Sequence, residues 1–214
     1  MADSKTAPRR RRLTSRGAET RARIVEAAAG LMYRKGVAAT TLDDVRVASD
    51  TSKSQLYHHF ADKDALIQAV IGVRAAQVLD REEKRLRRLD SFRDLERWRD
   101  ALVRDNELQG GAYGCALGSM ANELSDSSDE ARVLLDRTLR EWERLLADGF
   151  GRMRGSGLLR ADADPGKLAT GVMAALQGGY LLARAAHDPA PMAAALDMAI
   201  DYVKSLAPAS IRAV

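Results

Sequence analysis

Cysteine is almost missing from this chain of 214 residues, where Cys115 stands alone. A single cysteine excludes an intrachain disulfide and any cysteine-rich metal site. It suits a cytoplasmic protein, whose thiols stay reduced. Histidine is nearly as scarce, with only His58, His59 and His187. Aromatic residues make up 5% of the chain, too few for the β-branched and aromatic faces that a sandwich wants. No apolar run approaches the roughly 18–20 residues of a membrane span, so no membrane partner is expected. The basic N-terminus has no apolar stretch behind its charges and does not read as a secretory signal. Nor is there a nucleophile–base pairing, a phosphate-cradling glycine loop or a metal-ligand cluster. Those absences argue against an enzyme and predict no cofactor and no metal.

Apolar residues make up 46% of the chain, enough for a sizeable core. The abundant Ala, Leu and Arg favour helix packing. Net charge is only +4, and its distribution says more. Lys5, Arg9, Arg10, Arg11, Arg12 and Arg16 crowd the N-terminus against Asp3 and Glu19. Residues 1–17 are polar and without periodicity, and read as a disordered basic arm suited to a polyanion. A solvated tail without function is the alternative.

A helix is predicted from about Glu19 to Lys35, with Ile24, Ala27, Ala28, Leu31 and Met32 on one face and Gly36 as its stop. Thr41 and Asp44 form a capping box for a very short helix. Ser49-Asp50-Thr51 is turn material, since Asp tolerates positive φ. A second short helix follows from Ser52 to Phe60. Asp62 caps a long helix to about Leu89. Ser91 opens the next, carrying Trp98, and Gly110, Gly111 and Gly114 break the chain. A short apolar helix spans about Ala116 to Leu124. Ser127 and Glu130 read as a capping box for a helix to about Met153, which carries Trp142. Asp164-Pro165 is an N-cap with proline at the first helical position. That helix and a last one, about 191–206, complete an all-α chain of about nine helices.

Two short helices around a tight turn, after a longer supporting helix, make a helix-turn-helix unit. Its second helix enters the major groove by its N-terminal end. Ser52, Lys53, Ser54 and Gln55 stand there. Lys can donate to guanine O6 and N7, and Gln can pair with adenine N6 and N7. Tyr57 and His59 lie one turn on, and Tyr57 serves equally well as a packing residue. His58 and His59 do not suggest metal, because neighbours on a helix face different ways.

The run from Thr40 to Leu66, with Tyr57-His58-His59-Phe60 and Lys63-Asp64-Ala65-Leu66 inside it, resembles the DNA-binding domain of the TetR family of regulators. The likeness covers about residues 19–67. It departs from that family at the turn, where Ser49-Asp50-Thr51 replaces Ala-Gly-Val, and at Arg46, where a small residue is usual. Arg46 must therefore point outward or meet the DNA backbone. The resemblance implies that Lys53, Ser54, Gln55 and His59 read bases while Thr41, Tyr57 and Lys63 meet phosphates. It implies a helix-turn-helix domain over 18–65, a ligand-binding and dimerisation domain over 66–207, and a tail over 208–214.

By the same resemblance, a ligand pocket lies between helices spanning about 62–157, and the last two long helices form a dimer. Ala174, Ala175, Gly178, Gly179 and Ala183 are small enough for close helix approach. Trp98, Met120, Glu123 and Trp142 are pocket candidates, with plain core as the alternative. Cys115, at the start of the short apolar helix, reads either as a sensor thiol or as an inert buried hydrophobe. An apolar ligand is expected, cationic if Glu123 faces inward. The implied partners are a pseudo-palindromic double-stranded operator, a second copy of the chain and a small-molecule effector. The implied function is a sequence-specific regulator, usually a repressor released by its ligand. Its rivals are a small helical enzyme and a non-specific nucleic-acid binder driven by Arg9–Arg12.

Overall fold

A computed structural model describes residues 14–111 and 114–212. Its described residues form ten helices: α1 (Ser15–Lys35), α2 (Leu42–Ala48), α3 (Lys53–His59), α4 (Lys63–Leu86), α5 (Phe92–Glu107), α6 (Ala116–Leu124), α7 (Asp129–Gly155), α8 (Pro165–Ala186), α9 (Ala190–Ser205) and α10 (Ala209–Arg212). The tenth is a single turn inside the segment expected to be a tail.

Local caps set most boundaries. The Thr41 hydroxyl accepts from the Asp44 N–H, while the Asp44 carboxylate accepts from the Thr41 N–H at 2.8 Å. Asp62 accepts from the Ala65 N–H, Ser91 from Asp94 and Asp164 from Gly166 and Lys167. Two expectations fail. The first helix starts at Ser15, because the Thr14 hydroxyl accepts from the Gly17 N–H and caps it. Residues 14–17 are therefore not part of a disordered arm; Arg9–Arg12 lie outside the described residues. Ser128, rather than Ser127, caps α7 by accepting from Ala131. Ser127 instead donates back to carbonyls of the preceding turn, Leu124 among them.

Helices α1 to α3 close a small core of Ile24, Val25, Ala28, Val45, Leu56 and Phe60. The turn between α2 and α3 is pinned from both sides. Asp50 takes φ 49°, the Ser49 and Thr51 hydroxyls pair at 2.8 Å, and Arg23 Nε donates to the Ser49 carbonyl at 3.0 Å. The chain then runs straight into α4, which carries Leu66, Val70, Ile71, Val78 and Leu86 into the larger C-terminal core. There α4, α6, α7, α8 and α9 pack together. Two glycines permit close approaches within this core. A Cβ on Gly149 would fall 2.5 Å from Leu89 Cδ2, and one on Gly179 would fall 2.9 Å from Met192 Cα.

The small residues of α8 thus divide by face. Gly179 is buried against α9 of the same chain, and Ala183 is buried as well. Ala174, Gly178, Leu181 and Leu182 point outward. On α9, Met198 and Tyr202 are also exposed.

Candidate nucleic-acid interface

Helix α3 begins with a reciprocal cap. Ser52 Oγ accepts from the Gln55 N–H at 3.2 Å, and Gln55 Oε1 accepts from the Ser52 N–H at 2.8 Å. The cap fixes the direction in which the first turn presents its side chains. Ser52, Lys53, Ser54 and Gln55 are all exposed there, with Leu56 buried beneath. Because its Oε1 is held by the cap, the Gln55 amide leaves its NH₂ free of that bond on the exposed turn. Tyr57 is 47% exposed, so about half of its surface is free on this face.

Sequence reasoning missed how α1 extends this surface. A shallow crevice of about 330 Å³ lies between Thr14, Arg16, Gly17 and Thr20 of α1 and Ser54, Gln55, His58 and His59 of α3. The early start of α1 is what brings Arg16 beside the reading turn. The Thr14-x-x-Gly17 spacing was the available signal. His58 and His59 meet edge-on at 5.2 Å. Burial, the adjacent His58 and nearby Arg21 hold the His59 pKa below its usual value. Arg21 lies over the Phe60 ring at 5.1 Å.

Three flanking candidates are occupied within the chain. Thr41 is held in its capping box. Asp44 also receives Lys35 at 2.7 Å, and that bond, with those from Thr41, lowers its carboxyl pKa well below the usual range. Arg46 Nε donates to Asp43 at 2.8 Å, which keeps the guanidinium at the surface. Lys63 Nζ donates to the Ala38 carbonyl at 3.3 Å, so the base of α4 holds the α1–α2 turn.

That turn is gripped a second time, from the C-terminal domain. Glu123 Oε2 on α6 accepts from the Val37 N–H at 2.7 Å and the Ala38 N–H at 3.1 Å. Gly36, at φ 88°, leaves room for it; a Cβ there would stand 3.1 Å from Oε2. Glu123 was expected to suit a cationic ligand if it faced inward. Glu123 does line a cavity behind α6, but its carboxylate is engaged in joining the two domains.

Behind α6 lie two cavities of about 380 and 520 Å³ that share Gly114, Cys115 and Tyr180. Trp142 lines the first and Cys115 lines both. Trp98 lines neither. It is core, and its Nε1 donates to Glu82 at 2.9 Å. Met120 is likewise core and borders only a crevice of about 10 Å³. The two tryptophans therefore do not enclose one site. Sequence reasoning missed the polar wall residues Tyr33, Arg74, Gln77, Arg81, Asp105 and Asn106. Cys115 caps α6, with Gly118 N 3.5 Å from its sulfur. Burial nevertheless raises its pKa, against the depression expected of a sensor thiol at a helix N-terminus.

An exposed, capped first turn on a helix-turn-helix, tied through Glu123 and through Tyr33, which bonds to Gln109 and the Gly114 carbonyl, to a helical domain with cavities, defines a class: the two-domain helical DNA-binding regulator. Residues 24–70 match the sequence model described as bacterial regulatory proteins, tetR family. Residues 84–199 match the tetracyclin repressor-like C-terminal domain. The chain belongs to the TetR family; it is a DNA-binding transcriptional regulator and not an enzyme. It is similar to an uncharacterized HTH-type transcriptional regulator in the lacX 3' region of Lactococcus lactis, at 28% identity over 177 residues, covering 79% of this chain and 85% of that one. Transcriptional regulator AcuR of Cereibacter sphaeroides matches at 28% over 177 residues, covering 79% and 78%. The fold is shared with the crystal structure of regulatory protein TetR from Rhodobacter sphaeroides, with a TM-score of 0.79 at 22% identity over 86% of this chain and 98% of that one.

Proposed function

We propose that this protein is a homodimeric repressor that binds a pseudo-palindromic operator through α3 and leaves it when a small molecule enters the cavities behind α6. The observation that carries the reading is the Ser52–Gln55 cap, which presents Lys53, Ser54 and the Gln55 amide on an exposed turn. Lys53, Ser54, Gln55 and His59 read base edges. Ser52, Thr41, Arg46, Tyr57 and Lys63 meet the phosphate backbone, with Arg16 beside them. Phosphate contacts set register while base contacts set sequence.

Leu181, Leu182, Met198 and Tyr202 supply the apolar face of a two-fold interface. A two-fold protein reads a two-fold site. No helix among the described residues is long and apolar enough to cross a membrane, and the protein acts on DNA in the cytoplasm. The test is selection of bound duplexes from a random pool, followed by titration of the selected and a scrambled sequence. An inverted repeat should emerge and bind far more tightly than the scrambled duplex. Equal affinity for both would leave only a non-specific binder.

A further inference from the structure

Buried side-chain polar atoms nearly always find a partner. Among the described residues four have none: Arg99 Nε, Asn106 Oδ1, Trp142 Nε1 and Gln177 Nε2. Three of these belong to residues lining the two neighbouring cavities behind α6. Asn106 and Trp142, 3% and 1% exposed, line the first. Gln177 lines the second, where it stands beside the Cys115 thiol.

The charged groups of the walls are unevenly occupied. Both acids are taken, since Asp105 receives Arg85 at 2.7 Å and Glu123 holds the Val37 and Ala38 amides. The arginines keep donors to spare, because each guanidinium has five N–H groups. Arg81 gives its Nε to Glu82. Arg74 gives one nitrogen to Gln77 and stands 3.6 Å from Glu26. Arg184, in the second cavity, gives one to Ser119. The walls are therefore rich in donors and positive charge, with one bare acceptor. Val78, Leu108 and the ring of Tyr180 supply the apolar remainder.

We propose that the effector is a small organic carboxylate carrying one hydrogen-bond donor, its carboxylate accepting from Trp142 Nε1 and the Arg74 guanidinium and its donor facing Asn106 Oδ1. This rests on the reading of the protein as an effector-controlled regulator. It replaces the expectation of an apolar or cationic ligand. A cation would meet arginines and find both carboxylates engaged. A purely apolar molecule would leave the indole N–H and the amide oxygen bare.

The test uses the full chain without DNA and three probes of one shape. These are para-hydroxybenzoate, the neutral para-hydroxybenzamide and the cationic para-hydroxybenzylamine. Para-hydroxybenzoate should quench tryptophan emission and raise the melting temperature, with half-saturation at least about tenfold below either analogue, as a charge-assisted contact implies. Arg74→Gln, at a partly exposed position, should erase most of that preference while leaving the unliganded melting temperature in place. Should that variant fold poorly, Asn106→Asp puts a carboxylate in the wall and should abolish the anion's advantage. No binding of para-hydroxybenzoate, equal binding of the three, or preference for the amide or amine would overturn the assignment. Because no DNA is present, these results stand apart from operator binding. Loss of anion binding with an intact operator titration sinks only the ligand class.

Discussion

The carboxylate of Glu123 accepts the Val37 backbone N–H 2.7 Å away, across 86 residues of sequence, and so ties the cavity wall to the reading head. A ligand can lower DNA affinity only by favouring the conformation that does not bind DNA. A charged contact between the domains is well placed to differ between two such states. Glu123→Ala is expected to cost about 1.5–3 kcal/mol of stability, as for hydrogen bonds to a charged group. It should also change operator affinity. Glu123→Gln, which keeps an acceptor, should recover most of both. Denaturant midpoints and operator titrations read the two effects. Unchanged operator affinity in a destabilised Glu123→Ala protein would make the contact a structural tie alone.

The division of labour on α3 is open to substitution. Lys53→Ala should relax preference at one base position per half-site, by about 1–3 kcal/mol if its contact is bidentate. Lys63→Ala should weaken all sequences alike and flatten the salt dependence. Gln55 needs a different design, because its Oε1 also caps the helix. Gln55→Glu keeps that acceptor and replaces the amide NH₂, so base preference should change with little loss of helix stability. Selection from a random duplex pool with each variant would separate these roles, and identical profiles would contradict them.

Subunit association is predicted to depend on the outer faces of α8 and α9. Leu182 and Met198 are 56% and 76% exposed in the single chain. Leu182→Asp with Met198→Asp should reduce the sedimenting mass from twice 23.3 kDa to that of one chain. Helical content should stay in place, since neither side chain supports the internal core. A double variant that still sediments as a dimer would move the interface elsewhere.

Much of this fold was legible because its instructions are short-range. Thr41, Asp62, Ser91 and Asp164 cap helices by bonding two or three residues ahead, and such spacings can be read directly. The positive φ of Asp50 followed from its place in the turn. The capped first turn of α3 was legible for the same reason. What was hidden depends on distant partners. Nothing local to Glu123 announces Val37, and nothing local to Trp98 announces Glu82. A partial signal for the latter exists, since Glu82 falls on the inward stripe of Val78 and Leu86, where a charge must find partners or not be buried. Trp142, Cys115 and Glu123 were rightly placed at the cavities, but the arginines beside them were missed because arginines on a helix look like solvated surface.

Glu82 itself gives a stability prediction. It is fully buried and accepts from Trp98 Nε1 and Arg81 Nε at 2.9 Å, and from Arg85 at 3.1 Å. Removing one partner of such a group is far costlier than replacing the whole arrangement. Glu82→Ala should cost about 3–5 kcal/mol, leaving an unpaired indole N–H and Arg81 without its acceptor, while Arg85 keeps Asp105. Glu82→Gln should cost less, because an oxygen acceptor remains. Urea unfolding of the two variants would show the order, and near-equal losses would assign the effect to the lost volume.

Acid stability should carry the signature of Asp94. The Ser91 hydroxyl and, after it, the Arg97 guanidinium hold its pKa at about 2, against about 3.9 for a free aspartate. A depressed carboxylate favours the folded state above the unfolded value, and that contribution is lost as pH falls. The stability gap between wild type and Asp94→Asn should therefore be constant above about pH 4 and close as pH falls toward about 2. Urea titrations at several pH values would trace it, and a gap that persists at the acid end would assign the effect to helix capping.

Cys115 is the only thiol in the chain, and it is buried behind α6. That makes the molecule its own blank for site-directed labelling. A cysteine placed at Ala61, exposed between α3 and α4, would be the one thiol that a bulky spin label meets from solvent. In the proposed homodimer each head would then carry a single tag. The separation of the two tags becomes a ruler, reading out how many base pairs lie between half-sites and whether effector binding spreads the heads apart.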